Sequence, residues 1–202
     1  MESFAFKPAL LRGEVEYQLD DTGLHSDGAQ IIAWHNVQGA AYVETNVNSM
    51  LFRRLDLTPT KGDLISLSVT TGPANPPTDP DAIAFLQLAA ACLDRLASAK
   101  PDMLVAVGEY GRARKAMFAI GVISVLSTVI IVALAAFTGI SSNRWAEGMV
   151  PIGILLLFGL GISWTFSPWR KVPECAAAPL ALVLRQLSVS RNALSGQELP
   201  EQ

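Results

Sequence analysis

Two histidines, His25 and His35, and two cysteines, Cys92 and Cys175, are the side chains of this 202-residue chain best suited to acid–base, nucleophilic or metal chemistry. A general base needs a histidine steered by a second polar group, and a zinc site needs Cys and His at short, fixed spacings. His25 falls in a turn-rich stretch and His35 follows Trp34, and no Cys or carboxylate pattern is arranged around either. Neither cysteine has a Cys-x-x-Cys neighbour. Both histidines therefore read as structural or solvated. The chain has no G-x-S-x-G, H-E-x-x-H, Walker or dinucleotide fingerprint. Gly108-Glu-Tyr-Gly111 is too short and wrongly placed to cradle a phosphate. The expectation is a protein that is not an enzyme: no catalytic residue, no metal, no cofactor and no small-molecule substrate.

The basic residues are the next candidates. Arg53 and Arg54 lie on one predicted strand with Lys61 in the following turn. They read either as a solvated edge, where charge discourages strand-to-strand aggregation, or as a patch for an acidic partner or an anionic membrane surface. Arg112, Arg114 and Lys115, with Arg170 and Lys171, differ in kind because they flank two uncharged runs. With a net charge of −3 and no basic arm or stripe, nucleic acid is excluded as a partner.

Half of the residues are apolar and 16% are charged, and the excess is concentrated between Ala116 and Phe166. From Ala116 to Ile140 there is no charge over about 25 positions, enough for a helix to cross a hydrocarbon layer roughly 30 Å thick. A second uncharged run, Gly148 to Trp169, is also long enough. The predicted transmembrane helices are 116–140 and 149–168, joined by an external turn over 141–148. Because Lys and Arg resist translocation, the five flanking basic groups place both termini in the cytoplasm. Trp145, Trp164 and Trp169 lie near the ends of the second run, where an indole keeps its ring apolar and its N–H wet. The same five basic groups and three tryptophans are the expected membrane-interface and lipid head-group contacts.

Neither run holds an ionisable residue, so transport by this chain alone has no pathway residues to use. Gly121, Ser124 and Thr128 in the first and Gly153, Gly159 and Gly161 in the second are small enough for close helix contact. That contact is either between the two helices or with a partner subunit or second copy. The start, Met1 to Arg12, is not expected to be a signal peptide. Cys92 and Cys175 are expected as free thiols in a reducing compartment.

The first half alternates like an antiparallel β domain. Val15, Tyr17 and Leu19 precede the turn Asp20-Asp-Thr-Gly23, and short strands follow at Leu24–Gly28, Ile31–Trp34, Ala40–Val47, Met50–Thr58 and Leu64–Val69. Gly23 and Gly62 read as turn positions with unusual backbone angles, and Trp34 and Val37 as core. After a Pro-rich stretch, Asp79 is a predicted N-cap with Pro80 at the first helical position. Ile83, Leu86, Ala90, Leu93 and Leu96 recur at helical spacing, predicting a helix over 79–98 with one apolar stripe. A juxtamembrane helix or linker is predicted over 100–115. Residues 169–202 are predicted as a cytoplasmic tail whose short amphipathic helix, 179–194, lies in the membrane interface or packs on the soluble domain.

A β meander closed by one amphipathic helix resembles the pleckstrin-homology-like (PH-like) family. Tyr17-Gln-Leu-Asp-Asp-Thr-Gly-Leu24, Ile32-Ala-Trp34-His-Asn-Val37-Gln-Gly-Ala40 and Leu55-Asp-Leu57 before Lys61-Gly62 look like its bacterial membrane-associated version. The resemblance covers residues 1–99 and implies a PH-like antiparallel β barrel or sandwich capped by one helix. In lipid-binding members Lys and Arg line the first hairpin, whereas Leu19-Asp20-Asp21-Thr22-Gly23 is acidic, which argues against inositide recognition. The fold class expected is an α+β membrane protein: this domain, then a two-helix transmembrane hairpin. The function expected is a membrane-anchored, non-enzymatic interaction or scaffold protein of the inner membrane that meets lipid and a protein partner, or forms a homo-oligomer. The alternative is an accessory subunit of a larger membrane complex, bound mainly through the hairpin.

Overall fold

The computed structural model describes residues 1–9, 11–48, 50–72, 79–108, 112–138 and 142–195, the side chains of 112–113, 142–147 and 193–195 excepted. The chain forms two compact units, Met1–Gly108 with Pro173–Gln202, and Glu109–Val172.

In the first unit, β1 (Glu2–Phe6), β2 (Val15–Leu19), β3 (Gly23–Ser26) and β4 (Ala29–Ala33) form an antiparallel sheet in sequence order. The β2–β3 turn is set by Asp20, whose Oδ1 accepts from the Thr22 and Gly23 amides at 2.8 and 2.9 Å and from Thr22 Oγ1 at 2.6 Å. Such side-chain-to-backbone bonds are why Asp favours turns. Gly23 is required there by space, not by backbone angle: a Cβ would strike the Ile32 carbonyl oxygen. Gly62, with φ +106°, does need the left-handed region. Trp34 opens a short 3₁₀ turn, Trp34–Asn36, and its indole N–H donates to the Asp20 carbonyl at 3.0 Å.

A second sheet holds β5 (Val37–Val47), β6 (Met50–Pro59), β7 (Ile65–Thr71), β8 (Leu104–Val107) and β9 (Glu174–Ala176) in the order β7-β6-β5-β8-β9. β8 runs parallel to β5, and the other pairings are antiparallel. Helix α1 (Pro80–Ala99) begins as expected, the Asp79 carboxylate accepting from the Asp81 amide at 3.0 Å.

One apolar core joins both sheets to α1 and to a last helix, α4 (Ala177–Ser195), through residues such as Phe6, Leu24, Trp34, Leu55, Leu86, Leu93 and Leu184. The expected stripe of α1 is buried, and so are Phe85, Leu88, Ala89 and Cys92. The reason is α4, whose Ala177, Leu180, Ala181, Leu184 and Ser188 are buried at helical spacing as it packs along α1. Arg185 pairs with Asp94 across this contact.

Four expectations are corrected. Three helices, not two, are long and apolar enough to cross a membrane: Pro80–Ala99, Arg114–Phe137 and Gly148–Thr165. The first is α1, whose window is 61% buried within the protein, against 11% and 6% for the others. Within 100–115 the structure places strand β8, because Leu104-Val-Ala-Val107 has an open sheet edge on β5 to join. Within 169–202 it adds strand β9, and with β9 and α4, which covers the helix expected over 179–194, the first domain does not end at residue 99. The polar residues 142–147 are helical rather than a turn, since no Gly or Pro there interrupts the backbone.

The second unit is an antiparallel pair, α2 (Arg112–Phe137) and α3 (Ser142–Thr165). They meet at Gly121 and Gly159, where an added Cβ would lie 2.9 Å from the Gly159 oxygen or 3.0 Å from the Gly121 oxygen. Thr128 is buried and donates to the Ser124 carbonyl at 2.9 Å. Gly153 and Gly161 have open space beside them.

Candidate functional site

Of the residues singled out by sequence, the largest group lies at one end of the α2–α3 pair. Arg114, in the first turn of α2, donates through Nη2 to the carbonyls of Ser167 and Arg170 at 2.7 and 2.8 Å. A guanidinium on carbonyls just past a helix C-terminus neutralises the negative end of its dipole. Trp169 stands edge-on to Phe118 at 5.5 Å, and the Arg170 guanidinium lies 4.7 Å from the centre of the Trp164 ring. Lys115, Arg170 and Lys171 are exposed. The side chains of Arg112 and Trp145 lie outside the described residues. The structure thus gathers Arg114, Trp164, Trp169 and Arg170 into one base, and gives Arg114 a tying role that charge counting did not suggest.

Arg53, Arg54 and Lys61 are not brought together. Successive strand residues point to opposite faces, so Arg53 and Arg54 diverge. Moreover β6 lies between β5 and β7, which removes the solvated-edge reading. Arg53 is 1% exposed and its Nε donates to Glu44 Oε2 at 2.8 Å. Arg54 donates to Asp56 Oδ2 at 2.9 Å, and Asp56 also accepts from Ser66. Lys61 is exposed in the β6–β7 turn.

The partners of Arg53 were missed by sequence reasoning. Tyr42 on β5 donates its hydroxyl to Glu44 Oε2 at 3.1 Å. Burial pushes the Tyr42 phenol up, and the Glu44 charge pushes it further. Burial pushes Glu44 up as well, but the Arg53 hydrogen bond and charge outweigh it and hold the carboxyl below its usual range. From α4, Arg191 joins the group: burial first, and then the charge of Arg53, press its guanidinium below the usual arginine range. The pairing was legible in principle. Glu44 and Arg53 are equidistant from the β5–β6 turn, and Arg191 continues the stripe that runs through Leu184 and Ser188.

His25 does have a carboxylate beside it, Asp20 Oδ2 at 3.1 Å, which the sequence reading did not anticipate. Asp20 is held down at about 2 by the Thr22 hydroxyl and the Gly23 and Thr22 amides, with His25 a minor influence. His35 is exposed. Cys92 and Cys175 are both free, and burial pushes the Cys92 thiol up, leaving it unreactive. Among the described residues no group of three or more His, Cys, Asp or Glu side chains could hold a metal ion. Compared with protein-family models, with curated proteins and with solved structures, the chain finds no match.

Proposed function

We propose that this chain is a multi-pass protein of a bacterial inner membrane, in which a cytoplasmic PH-like domain, anchored by the α2–α3 hairpin, is presented to a protein partner without catalysing a reaction. The observation that carries this reading is the attachment of the helix pair. Two long apolar helices, few of whose residues are buried within the protein, leave and re-enter the domain at paired strands β8 and β9. Large exposed apolar surface on a helix pair calls for lipid around it. The strand order supports the PH-like assignment: a four-strand meander, a three-strand meander and a helix, to which β8, β9 and α4 are additions.

The partner-facing element is the β7 edge of the five-stranded sheet. The Thr70 amide points away from β6, donating to the Pro8 carbonyl at 3.0 Å, so by strand alternation the Ser68 amide points the same way. Ser66 and Ser68 line a cavity of about 340 Å³ with Arg12 and Tyr17, room for an added strand.

Alkaline extraction and mild-detergent affinity purification, with mass spectrometry and sizing, test both parts of the reading. The protein stays in the carbonate-resistant membrane fraction, and a stoichiometric partner retained by the wild type is lost from Ser68→Pro, which removes an outward N–H at an edge position where proline is tolerated. A protein released by carbonate overturns the anchor. The accessory-subunit reading is favoured by one observation, the open space beside Gly153 and Gly161, where another helix fits closely. In that case Ser68→Pro keeps the partner and Gly161→Leu loses it.

A further inference from the structure

Arg53 carries more charge and more donors than its neighbours use. Its Nε is taken by Glu44, while Nη1 and Nη2 are buried and, among the described residues, have no hydrogen-bond partner. Buried donors left unpaired are costly, and the cost is larger when they belong to an ion. Glu44, already shared with the Tyr42 hydroxyl, is the one carboxylate bonded to Arg53 among the described residues. Arg191 then brings a second guanidinium to the same place, although like charges repel. Among the described residues, two cations, one carboxylate and an unfilled guanidinium fork leave the cluster positive and short of acceptors.

We propose that Arg53 and Arg191, with Tyr42 and Glu44 around them, form a binding site for a small phosphate-type oxyanion between the β5–β6 hairpin and the last turns of α4. The guanidinium fork of Arg53 matches two oxygens of a tetrahedral anion, and a third oxygen remains for Arg191. A lone carboxylate would satisfy the fork and leave Arg191 unmatched. Depth limits the size of the group: Arg53 is almost wholly covered, whereas Arg191 and Glu44 reach the surface, so a terminal phosphate enters past the partly exposed Arg191 side chain. Since Arg191 belongs to α4 and Arg53 to β6, an anion there ties the last helix to the sheet. The group could be free phosphate or the head-group of a phosphomonoester lipid, and the chemistry of capture is the same.

The test is calorimetric titration of inorganic phosphate into the full-length protein in neutral detergent, at ionic strength held constant with chloride. One saturable site is expected, together with a raised unfolding temperature. Arg191→Gln, at the partly exposed end of the cluster, weakens binding roughly tenfold. Arg53→Met removes it, and circular dichroism checks that the variant is folded. If Arg53→Met does not fold, Arg191→Gln still decides. Absence of saturable heat, or equal affinity in wild type and Arg191→Gln, overturns the proposal. Repeating the titration in phosphatidylcholine vesicles with and without phosphatidic acid identifies the source. Competition by phosphatidic acid assigns the site to a lipid head-group, and unchanged affinity assigns it to free phosphate.

Discussion

At the scale of single residues, Asp20 does more than its position in an acidic hairpin suggests. Its carboxylate gathers the Thr22 and Gly23 amides, lies beside His25, and sits in the turn whose carbonyl holds Trp34. The folded protein holds Asp20 at about 2, below its ordinary 3.8. A carboxyl depressed by folding stabilises the native state above its unfolded pKa, and that stability fades as pH falls through the folded value. Asp20→Ala therefore lowers the urea midpoint at pH 7, and the gap between variant and wild type closes between pH 3.8 and about 2. An equal gap at both ends of that range would show that the charge is not what Asp20 contributes. Leu93, fully buried between the sheets and α4, is a simpler case. Leu93→Ala costs about 2–5 kcal/mol in denaturant unfolding. The sequence marked Leu93, Trp34 and Val37 as core because apolar periodicity reports burial. It marked Arg53 as an edge or patch residue and not as buried, because a buried arginine looks like any strand arginine until the register from the β5–β6 turn is counted out to its partner Glu44.

At the scale of elements, local signals were readable and long-range ones were not. The strands β2 to β7 and the start of α1 follow from alternation, turn residues and a capping Asp. β8 and β9 were misread, as linker and as tail, because their partners are distant in sequence: β8 joins β5 and β9 joins β8. A helix was expected over 179–194, and α4 covers that span and packs on α1, the soluble-domain placement of the two that were open. A four-residue apolar strand has no signature of its own until a sheet edge is available. The same contact explains why α1 is apolar enough to pass for a membrane span, since it is covered on two sides. Leu184→Asp, an uncompensated charge in the α1–α4 contact, costs ~3 kcal/mol or more. It also opens residues 177–195 to protease while α2 and α3 stay protected. In the helix pair, Gly121→Leu overpacks against Gly159 and Ser163 and lowers the unfolding temperature in detergent, with a cost of about 1–3 kcal/mol. Gly153→Leu, with open space beside it, leaves that temperature unchanged. If both glycines tolerate leucine alike, the helices are not held together at Gly121.

At the scale of the whole molecule, the strands that bracket the helix pair decide more than the flanking charges do. The positive-inside rule places Arg112, Arg114, Lys115, Arg170 and Lys171 on one side by counting. For the proposed anchor, the fold supports a shared side by a separate route. Val107, just before the chain leaves the domain, donates its amide to the carbonyl of Pro173, where the chain returns, at 2.8 Å. Two covalent exits tied together at one point of one folded domain cannot lie on opposite faces of a bilayer. For the proposed membrane anchor, this tie calls for an even number of crossings whatever the charges say, with α1, buried in the core, not among them. The prediction is a labelling pattern in a Cys175→Ala background, where the remaining Cys92 is buried. Cysteines introduced as Lys115→Cys and Lys171→Cys react with a membrane-impermeant maleimide in inside-out vesicles and stay unlabelled in intact cells. Reversing the flanking charges leaves the two positions on a shared side, because β8 and β9 still pair. Labelling of the two cysteines from opposite sides would mean that the β8–β9 contact does not survive in the membrane.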